Sequence, residues 1–183
     1  MEVVETAIEE VKILRPQRYL DDRGFLSETY KRSALLAVQI RDVFVQENHS
    51  LSLAEGTLRG LHFQCPPHAQ AKLVRVVRGA IFDVAVDIRH YSPTFGKYVA
   101  TRLSGENWQQ LYIPVGFAHG FLTLKPGSEV VYKLSAEYSP ESDRGILWSD
   151  PNIEIPWPLN GSSPYLSEKD RNHPLLRDCP RYF

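Results

Sequence analysis

The chain has 183 residues and a net charge of −1, and 43% of its residues are hydrophobic and 23% charged. This length and composition suit one globular domain, residues 1–183, with a core of its own. A charge so close to neutral gives no field to attract nucleic acid or an anionic membrane, so neither is expected as a partner. The acidic N-terminus lacks the basic region of a signal peptide, and no apolar run reaches the about 18 residues of a membrane span. With only two cysteines, we expect a cytoplasmic protein with unpaired thiols.

Most of the chain is predicted to form short β-strands. Thirteen prolines and eleven glycines divide it into short segments, in which apolar and polar residues alternate with the period of two that is typical of half-buried strands. Many short strands separated by turn residues indicate an all-β antiparallel sandwich or barrel. The clearest strands, in chain order, are KLVRVVRG (72–79), IFDVAVDI (81–88), QQLYIP (109–114), GFLTL (120–124) and EVVYKLSAEY (129–138).

Helices are predicted at only two places. SALLAV (33–38) is expected to form a short helix after the first strands, and a second helix is expected after Ser167, ending before Pro174. The chain after residue 139 is rich in proline, asparagine and serine. Residues 150–183 are therefore expected to form a loop and a short helix over the sandwich.

Several polar side chains occur in strands where a simple core would have valine or leucine. If the strands are walls of one barrel, these side chains converge at its mouth, where such barrels bind ligands. A histidine can remove a proton, a cation can stabilise an enolate oxygen, and a tyrosine can return a proton from the opposite side. This set is the minimum for epimerisation, and a nearby arginine suits a phosphate. The residues are Arg59, His62, Lys72, His119, Tyr132 and Tyr138.

Each of these residues also has a structural interpretation. A single histidine in a strand is more often a hydrogen-bonded core or rim residue than a catalyst, and Lys72 can extend its amine from a sheet edge. Asp170 can be a helix-capping residue, because SEKD (167–170) resembles a capping box. The joint occurrence of the residues, more than any single one, favours a functional site.

A metal site is the alternative suggested by PVGFAH (114–119), which matches the second motif of metal-binding cupins. The first cupin motif needs two histidines at alternate positions of one strand, and here Gln64 lies two residues after His62. A site made by His62, His68 and His119 is the remaining possibility. The missing histidine pair makes it the weaker interpretation.

Motifs in a fixed order cover nearly the whole chain and resemble those of one known family, the dTDP-4-dehydrorhamnose 3,5-epimerases, or RmlC. The resemblance implies a cupin-type jelly roll that uses no metal and no cofactor. The motifs are DDRGFLSE (21–28), QENHS (46–50), LRGLHFQ (58–64), KLVRVVRG (72–79), SPTFGK (92–97), IPVGFAHGF (113–121), YKLSAEYSPESDRGILWSDP (132–151) and LSEKD (166–170).

The resemblance implies catalytic roles for four residues. His62 would be the general base that takes protons from C3 and C5, on either side of the C4 ketone, and Asp170 would orient its imidazole. Lys72 would stabilise the enolate oxygen at C4. Tyr132 would deliver a proton to the opposite face, with C5 as its clearest target.

The same resemblance implies a nucleotide-sugar site and a homodimer. Arg59 would meet the diphosphate and Tyr138 would stack near the thymine, while N-terminal strands within residues 1–50 would reach the neighbouring subunit's site. Asp143 stands where the family commonly has glutamate, which keeps the carboxylate but shortens it. The expected substrate-binding residues are Arg23, Phe25, Glu28, Gln46, Asn48, Arg59, His119, Tyr138, Asp143 and Lys169.

The expected reaction is inversion of C3 and C5 of dTDP-4-dehydro-6-deoxy-D-glucose to give dTDP-4-dehydro-L-rhamnose. A relative that inverts only C3, or only C5, of a dTDP-4-keto-6-deoxyhexose would share the same base and acid and is the main competing interpretation. A metal-dependent cupin and a non-catalytic sugar-binding barrel are two weaker ones.

Overall fold

The alternating segments form β-strands in the computed structural model, which describes residues 1–183. The strands pair antiparallel in one six-stranded and one five-stranded sheet, with a separate two-stranded hairpin. The predicted all-β antiparallel sandwich is therefore confirmed. In chain order the strands are β1 (Glu2–Val4), β2 (Lys12–Arg15), β3 (Tyr19–Asp21), β4 (Gly24–Leu26), β5 (Gln46–Ser52), β6 (Leu58–Gln64), β7 (Lys72–Arg78), β8 (Ala80–Asp87), β9 (Tyr98–Ser104), β10 (Gln110–Ile113), β11 (Phe117–Thr123), β12 (Ser128–Leu134) and β13 (Asp143–Gly145).

Most neighbouring strands in the sheets are distant in sequence. The six-stranded sheet has the order β1-β2-β10-β7-β12-β5, and the five-stranded sheet has the order β13-β6-β11-β8-β9. Strands β3 and β4 form the hairpin. The chain therefore crosses repeatedly between the two sheets, as in a jelly roll.

The two predicted helices are present and short. Helix α1 covers Arg32–Ala37, within one residue of the predicted segment, and α2 covers Glu168–Arg171. As predicted, Ser167 caps α2, and its hydroxyl accepts a hydrogen bond from the backbone N–H of Asp170. A 3₁₀ turn follows at Leu176–Asp178. None of these helices has the length and apolar character required to cross a membrane.

Strand alternation divides the side chains of β8 between two cores. Ile81 and Ala85 belong to the core between the sheets, whereas Val84 and Val86 belong to a second core that the C-terminal segment covers. The C-terminal residues of the second core are Ile153, Ile155, Trp157, Leu176, Cys179, Tyr182 and Phe183.

Both cysteines, Cys65 and Cys179, are unpaired, as predicted.

The β3–β4 hairpin exposes apolar side chains. Leu20 and Leu26 are 77% and 71% exposed, and half of the surface of Phe25 is also accessible. Phe25 packs edge-on against Trp108, with ring centroids 4.7 Å apart. Leu20 and Phe25 lie on one face of the hairpin and Leu26 on the other, and exposed apolar side chains on a small hairpin are typical of an interaction site.

Candidate active site

Polar side chains from both sheets meet at one end of the sandwich. His62 lies on β6 of the five-stranded sheet, directly opposite His119 of β11 in the strand register. Lys72 lies at the start of β7 in the other sheet, and its Nζ donates a hydrogen bond to the backbone oxygen of His62 at 3.2 Å. This contact joins the two sheets and places the predicted base beside the predicted cation.

His62 is paired with Asp170, which is 108 residues away in sequence. The distance from His62 Nε2 to Asp170 Oδ1 is 2.6 Å, and the Asp170 side chain is 5% exposed while that of His62 is 33% exposed. The carboxylate also accepts hydrogen bonds from the Ser167 hydroxyl at 2.6 Å and the Gly60 N–H at 3.3 Å. Burial raises the pKa of Asp170, but the hydrogen bonds from His62 and Ser167 outweigh it and lower the pKa to about 2.

This pairing fixes the tautomer of His62 when the ring is neutral. An ionised carboxylate only accepts hydrogen bonds, so Nε2 must carry the ring proton. The lone pair is then on Nδ1, which makes no hydrogen bond within the protein. A partly exposed imidazole with one free nitrogen is the form that a general base requires.

Lys72 is a buried cation. Its residue surface is 7% exposed, and burial lowers the pKa of its amine to about 8, although the negative charges of Asp143 and Asp83 act in the opposite direction. The ammonium is therefore poorly solvated and would interact strongly with negative charge developing on a bound molecule.

His119 forms a second histidine–carboxylate pair. Its Nε2 lies 2.6 Å from Oδ1 of Asp83, and both side chains are buried. Burial lowers the pKa of His119, while the charge and hydrogen bond of Asp83 oppose that change. The second carboxylate oxygen of Asp83 has no hydrogen-bond partner in the protein.

A chain of hydrogen bonds from β5 positions Tyr132 on β12. Asn48 Nδ2 donates to the Tyr132 hydroxyl at 3.2 Å, and Gln46 Nε2 donates to Asn48 Oδ1 at 2.9 Å. Gln46 Oε1 in turn accepts from the backbone N–H of Tyr138 at 2.8 Å. These predicted residues therefore form one connected group, because Gln46 and Asn48 are two residues apart on the same face of β5.

Other predicted binding residues lie at the rim of this group. Asp143 accepts a hydrogen bond from the Tyr138 hydroxyl at 3.0 Å and forms an ion pair with Lys169. The hydrogen bond to Asp143 and its negative charge raise the pKa of Tyr138. Arg59 is exposed, and its Nε donates to the Ser52 hydroxyl at 3.3 Å.

Three predicted binding residues contact other parts of the same chain. Arg23 is paired with Asp21 and is 90% exposed, and Glu28 is paired with Lys31. Phe25 packs on Trp108. None of the three touches the His62 group within one chain.

Sequence reasoning missed two side chains of this group, Asp83 and His173. Asp83 occupies an inward position of β8 between Ile81 and Ala85, but strand alternation gives only that position and not its pairing with His119. His173 packs edge-on against His62, with ring centroids 5.4 Å apart. The signal in the sequence is its position three residues after Asp170, within the segment predicted to be helical up to Pro174, since residues so spaced share one face of a helix.

The alternative set of three histidines does not come together. His68 Nδ1 lies 3.0 Å from the Ser142 hydroxyl and 3.1 Å from that of Ser139, while His119 is held by Asp83. Instead, His62 lies close to Asp170 and His173. One possible ligand atom from each of these three residues is near enough to the other two for all three to bind the same ion.

The family model described as dTDP-4-dehydrorhamnose 3,5-epimerase matches residues 5–178. The enzyme of that name from Sinorhizobium fredii is 52% identical over 178 residues, covering 97% of this chain and 90% of the relative. The one from Escherichia coli is 53% identical over 171 residues, covering 93% of this chain and 91% of the relative. A crystal structure from Legionella pneumophila, described as dTDP-6-deoxy-D-glucose-3,5-epimerase RmlC in complex with dTDP-4-keto-L-rhamnose, superposes with a TM-score of 0.93 at 45% identity. It covers 98% of this chain and 94% of the other.

These likenesses extend over nearly the full length of this chain and of each relative. They confirm the cupin-type jelly roll that the motifs indicated. With its sequence, fold and polar site in agreement, the chain belongs to the dTDP-4-dehydrorhamnose 3,5-epimerase family.

Proposed function

We propose that this protein inverts C3 and C5 of dTDP-4-dehydro-6-deoxy-D-glucose and so produces dTDP-4-dehydro-L-rhamnose. The observation that carries the proposal is the meeting of His62, Asp170 and Lys72 at one point, with the Lys72 amine 3.2 Å from the His62 backbone oxygen. A base and a cation so placed can both act on one sugar ketone.

His62 Nδ1 removes the proton from the carbon next to the C4 ketone. The electron pair of the broken C–H bond forms the C=C bond of an enolate, and the carbonyl electrons move onto the C4 oxygen, where Lys72 stabilises the charge. His62 is then an imidazolium whose charge Asp170 offsets at a distance of 2.6 Å. Base catalysis of this kind contributes about 10²–10⁴-fold to a rate.

Tyr132 completes the inversion by donating its phenolic proton to the other face of the enolate. The enolate collapses to the ketone, and solvent exchange returns a proton to the tyrosine and removes one from His62. The Asn48 amide donates to the Tyr132 oxygen at 3.2 Å, which stabilises the transient phenolate. The chemistry requires no cofactor, because protein groups supply base, cation and acid.

The rim residues suit the nucleotide part of the substrate. The exposed guanidinium of Arg59 can bind the diphosphate in bidentate fashion, and Tyr138, 56% exposed, offers an aromatic face to thymine. Lys169, ion-paired with Asp143 at the rim, and the buried His119 beside Asp83 would add polar contacts to the substrate. The negative charge that develops on the C4 oxygen would in turn compensate for the desolvation of Lys72.

Deuterium incorporation tests the reaction. When the protein acts on the substrate in deuterated water, NMR should show deuterium at both C3 and C5, because each proton is exchanged with solvent during inversion. Label at C3 alone, or at C5 alone, would identify a single epimerase and contradict the double inversion. No label at all with tightly bound substrate would indicate a non-catalytic sugar-binding barrel.

Two variants and a chelator refine this test. His62→Asn should abolish labelling at both carbons, whereas His68→Asn, at a partly buried histidine outside the group, should retain it. Activity that disappears after dialysis against a chelator and returns with metal would favour the metal-dependent cupin instead.

We further propose that residues 1–183 act as a single domain in a homodimer. The β3–β4 hairpin exposes Leu20 and Leu26, one on each face, at 77% and 71%, and a second copy that contacts the hairpin can bury these apolar side chains. Arg23 and Glu28 lie on or beside this hairpin, so the same contact would bring them to the neighbouring subunit's site. In this arrangement each site takes residues from two chains.

Mixing two inactive variants tests the shared site. Arg23→Ala and His62→Asn each inactivate the homodimer, but a mixed dimer has one site with intact His62 and the partner's intact Arg23. Equal mixing after subunit exchange should therefore restore about one quarter of the wild-type activity. A mixture with no restored activity, or a monomer in light scattering at assay concentration, would contradict the proposal.

A further inference from the structure

His173 has a side chain that is largely buried and that the proposed reaction does not use. Its side chain is 8% exposed, and its Nε2 atom has no hydrogen-bond partner, although burial of an unpaired polar atom is unfavourable. Gly145 leaves the space for the ring, because a Cβ there would lie 2.3 Å from His173 Nε2. The unpaired nitrogen lies 3.9 Å from Oδ1 of Asp170.

The donor atoms around this nitrogen match a metal site. One atom each from His62, Asp170 and His173 lie within 4.8 Å of one another. Two imidazoles and a carboxylate are a common set of protein ligands for Zn²⁺, with water in the fourth position. Of the three residues, His173 also lines a cleft of about 450 Å³, together with Gly145, Lys169 and others.

Two of the three ligand-atom separations require only small adjustments, and the third, between the imidazole nitrogens of His62 and His173, is within 4.8 Å. Tetrahedral Zn²⁺ with bonds of about 2.0–2.1 Å keeps its ligand atoms roughly 3.3 Å apart. From Asp170 Oδ1 the observed distances are 2.6 Å to His62 Nε2 and 3.9 Å to His173 Nε2. The separation from His62 must lengthen by roughly 0.7 Å and that from His173 must shorten by roughly 0.6 Å, which side-chain rotations can provide.

We propose that Zn²⁺ binds to His62, Asp170 and His173 and that it reversibly inhibits the epimerase. The binding part stands on the geometry alone, whereas the inhibition rests on the proposed role of His62 as the base. The ion is an inhibitor at this site and takes no part in the reaction.

Coordination inhibits by changing the tautomer of His62. In the metal-free protein the ring proton is on Nε2, facing Asp170, and Nδ1 holds the lone pair that accepts the substrate proton. When Nε2 donates its lone pair to Zn²⁺, the one ring proton moves to Nδ1 by exchange with solvent. The ring remains neutral and releases no net proton, but Nδ1 now has no lone pair for the substrate.

Calorimetric titration with zinc chloride, in buffer without chelator or substrate, tests the binding. The wild-type protein should bind one Zn²⁺ per chain at this site, and His173→Gln should weaken binding by at least about tenfold, since loss of even an outer partner of a metal ligand costs 10–100-fold. His68→Gln is the matched control and should keep the wild-type affinity, because His68 is bonded to Ser139 and Ser142. If His173→Gln fails to fold, His62→Asn removes a different ligand and should give the same loss.

Activity is then measured with each variant compared with its own metal-free rate. Zn²⁺ should reduce the wild-type rate at least tenfold, and a chelator should restore that rate. The His173→Gln variant should need a higher Zn²⁺ concentration for the same inhibition, in proportion to its weaker zinc binding. Zinc affinity that is unchanged in both His173→Gln and His62→Asn would overturn the site. Binding that depends on His173 without any loss of rate would overturn the inhibition and the role of His62, and activation by Zn²⁺ would do the same.

Discussion

Replacing Lys72 by methionine should stabilise the fold while it removes catalysis. The amine is almost completely buried, and burial lowers its pKa from 10.5 to about 8. At about 1.36 kcal/mol for each pKa unit, this difference corresponds to about 3 kcal/mol of destabilisation by the charged amine at neutral pH. Loss of the hydrogen bond to the His62 oxygen costs about 1 kcal/mol. The expected net gain for Lys72→Met at pH 7 is therefore about 2 kcal/mol.

The pH dependence of this gain identifies its cause. Below pH 8 the folded and unfolded chains both carry the Lys72 proton, so the destabilisation is complete. Between about 8 and 10.5 the unfolded chain binds more protons than the folded one, so the wild-type free energy of unfolding rises with pH relative to that of the variant. The advantage of Lys72→Met should disappear, and then reverse, across this range.

Urea denaturation at fixed protein concentration, at pH 7 and pH 10, measures the effect. Lys125→Met is the control, because Lys125 is 47% exposed and ion-paired with Glu106, and its replacement should change the free energy of unfolding by less than about 0.5 kcal/mol at either pH. A Lys72→Met protein that is less stable than wild type at pH 7, or whose advantage is the same at both pH values, would refute the reasoning.

Three further predictions concern the reaction and the packing around it. Because only the protonated amine stabilises an enolate, kcat/KM should fall as pH rises through the Lys72 pKa of about 8, and a rate that stays constant to pH 9.5 would exclude this role. Asp170→Asn should lower kcat by about 10²-fold or more with a small change in KM, because the carboxylate no longer fixes the His62 tautomer; ¹⁵N NMR of the ring should then show mixed tautomers. Gly145→Ala should cost about 1–3 kcal/mol in denaturation, because its Cβ would overlap the His173 ring. The double variant Gly145→Ala with His173→Ala should recover most of that loss, and a simple sum of the two single effects would contradict the packing argument.

Strand alternation predicted much of the fold and the inner face of the site. The period of two in the segments that became β7 and β8 was sufficient to identify sheets, because each face of a strand meets a different environment. It also marked Lys72 as a polar residue in an apolar strand. It did not identify Asp83 as functional, because an aspartate in a strand has the same appearance in sequence whether it faces solvent or pairs with His119, as it does here at 2.6 Å.

The role of Asp170 could not be read from local sequence. The capping motif beginning at Ser167 predicted a structural residue, and that prediction was correct, since the Ser167 hydroxyl accepts from the Asp170 N–H. The same hydroxyl donates to the Asp170 carboxylate at 2.6 Å and leaves the other oxygen for His62. One residue therefore makes both contacts, and only the family resemblance suggested the one with His62.

Apolar packing is what brings this distant carboxylate to the histidine. Leu61 and Phe63 flank His62 on β6 and lie in the core that Trp157 and the rest of the C-terminal segment cover. The intervening His62 projects to the opposite face, where α2 of the same segment places Asp170 against it. Burial of large side chains in this core contributes about 1.5–3 kcal/mol each, far more than the short helix could supply alone. The segment is therefore held by hydrophobic contacts on one face of β6 and delivers the charged partner to the other, an arrangement that no local motif encodes.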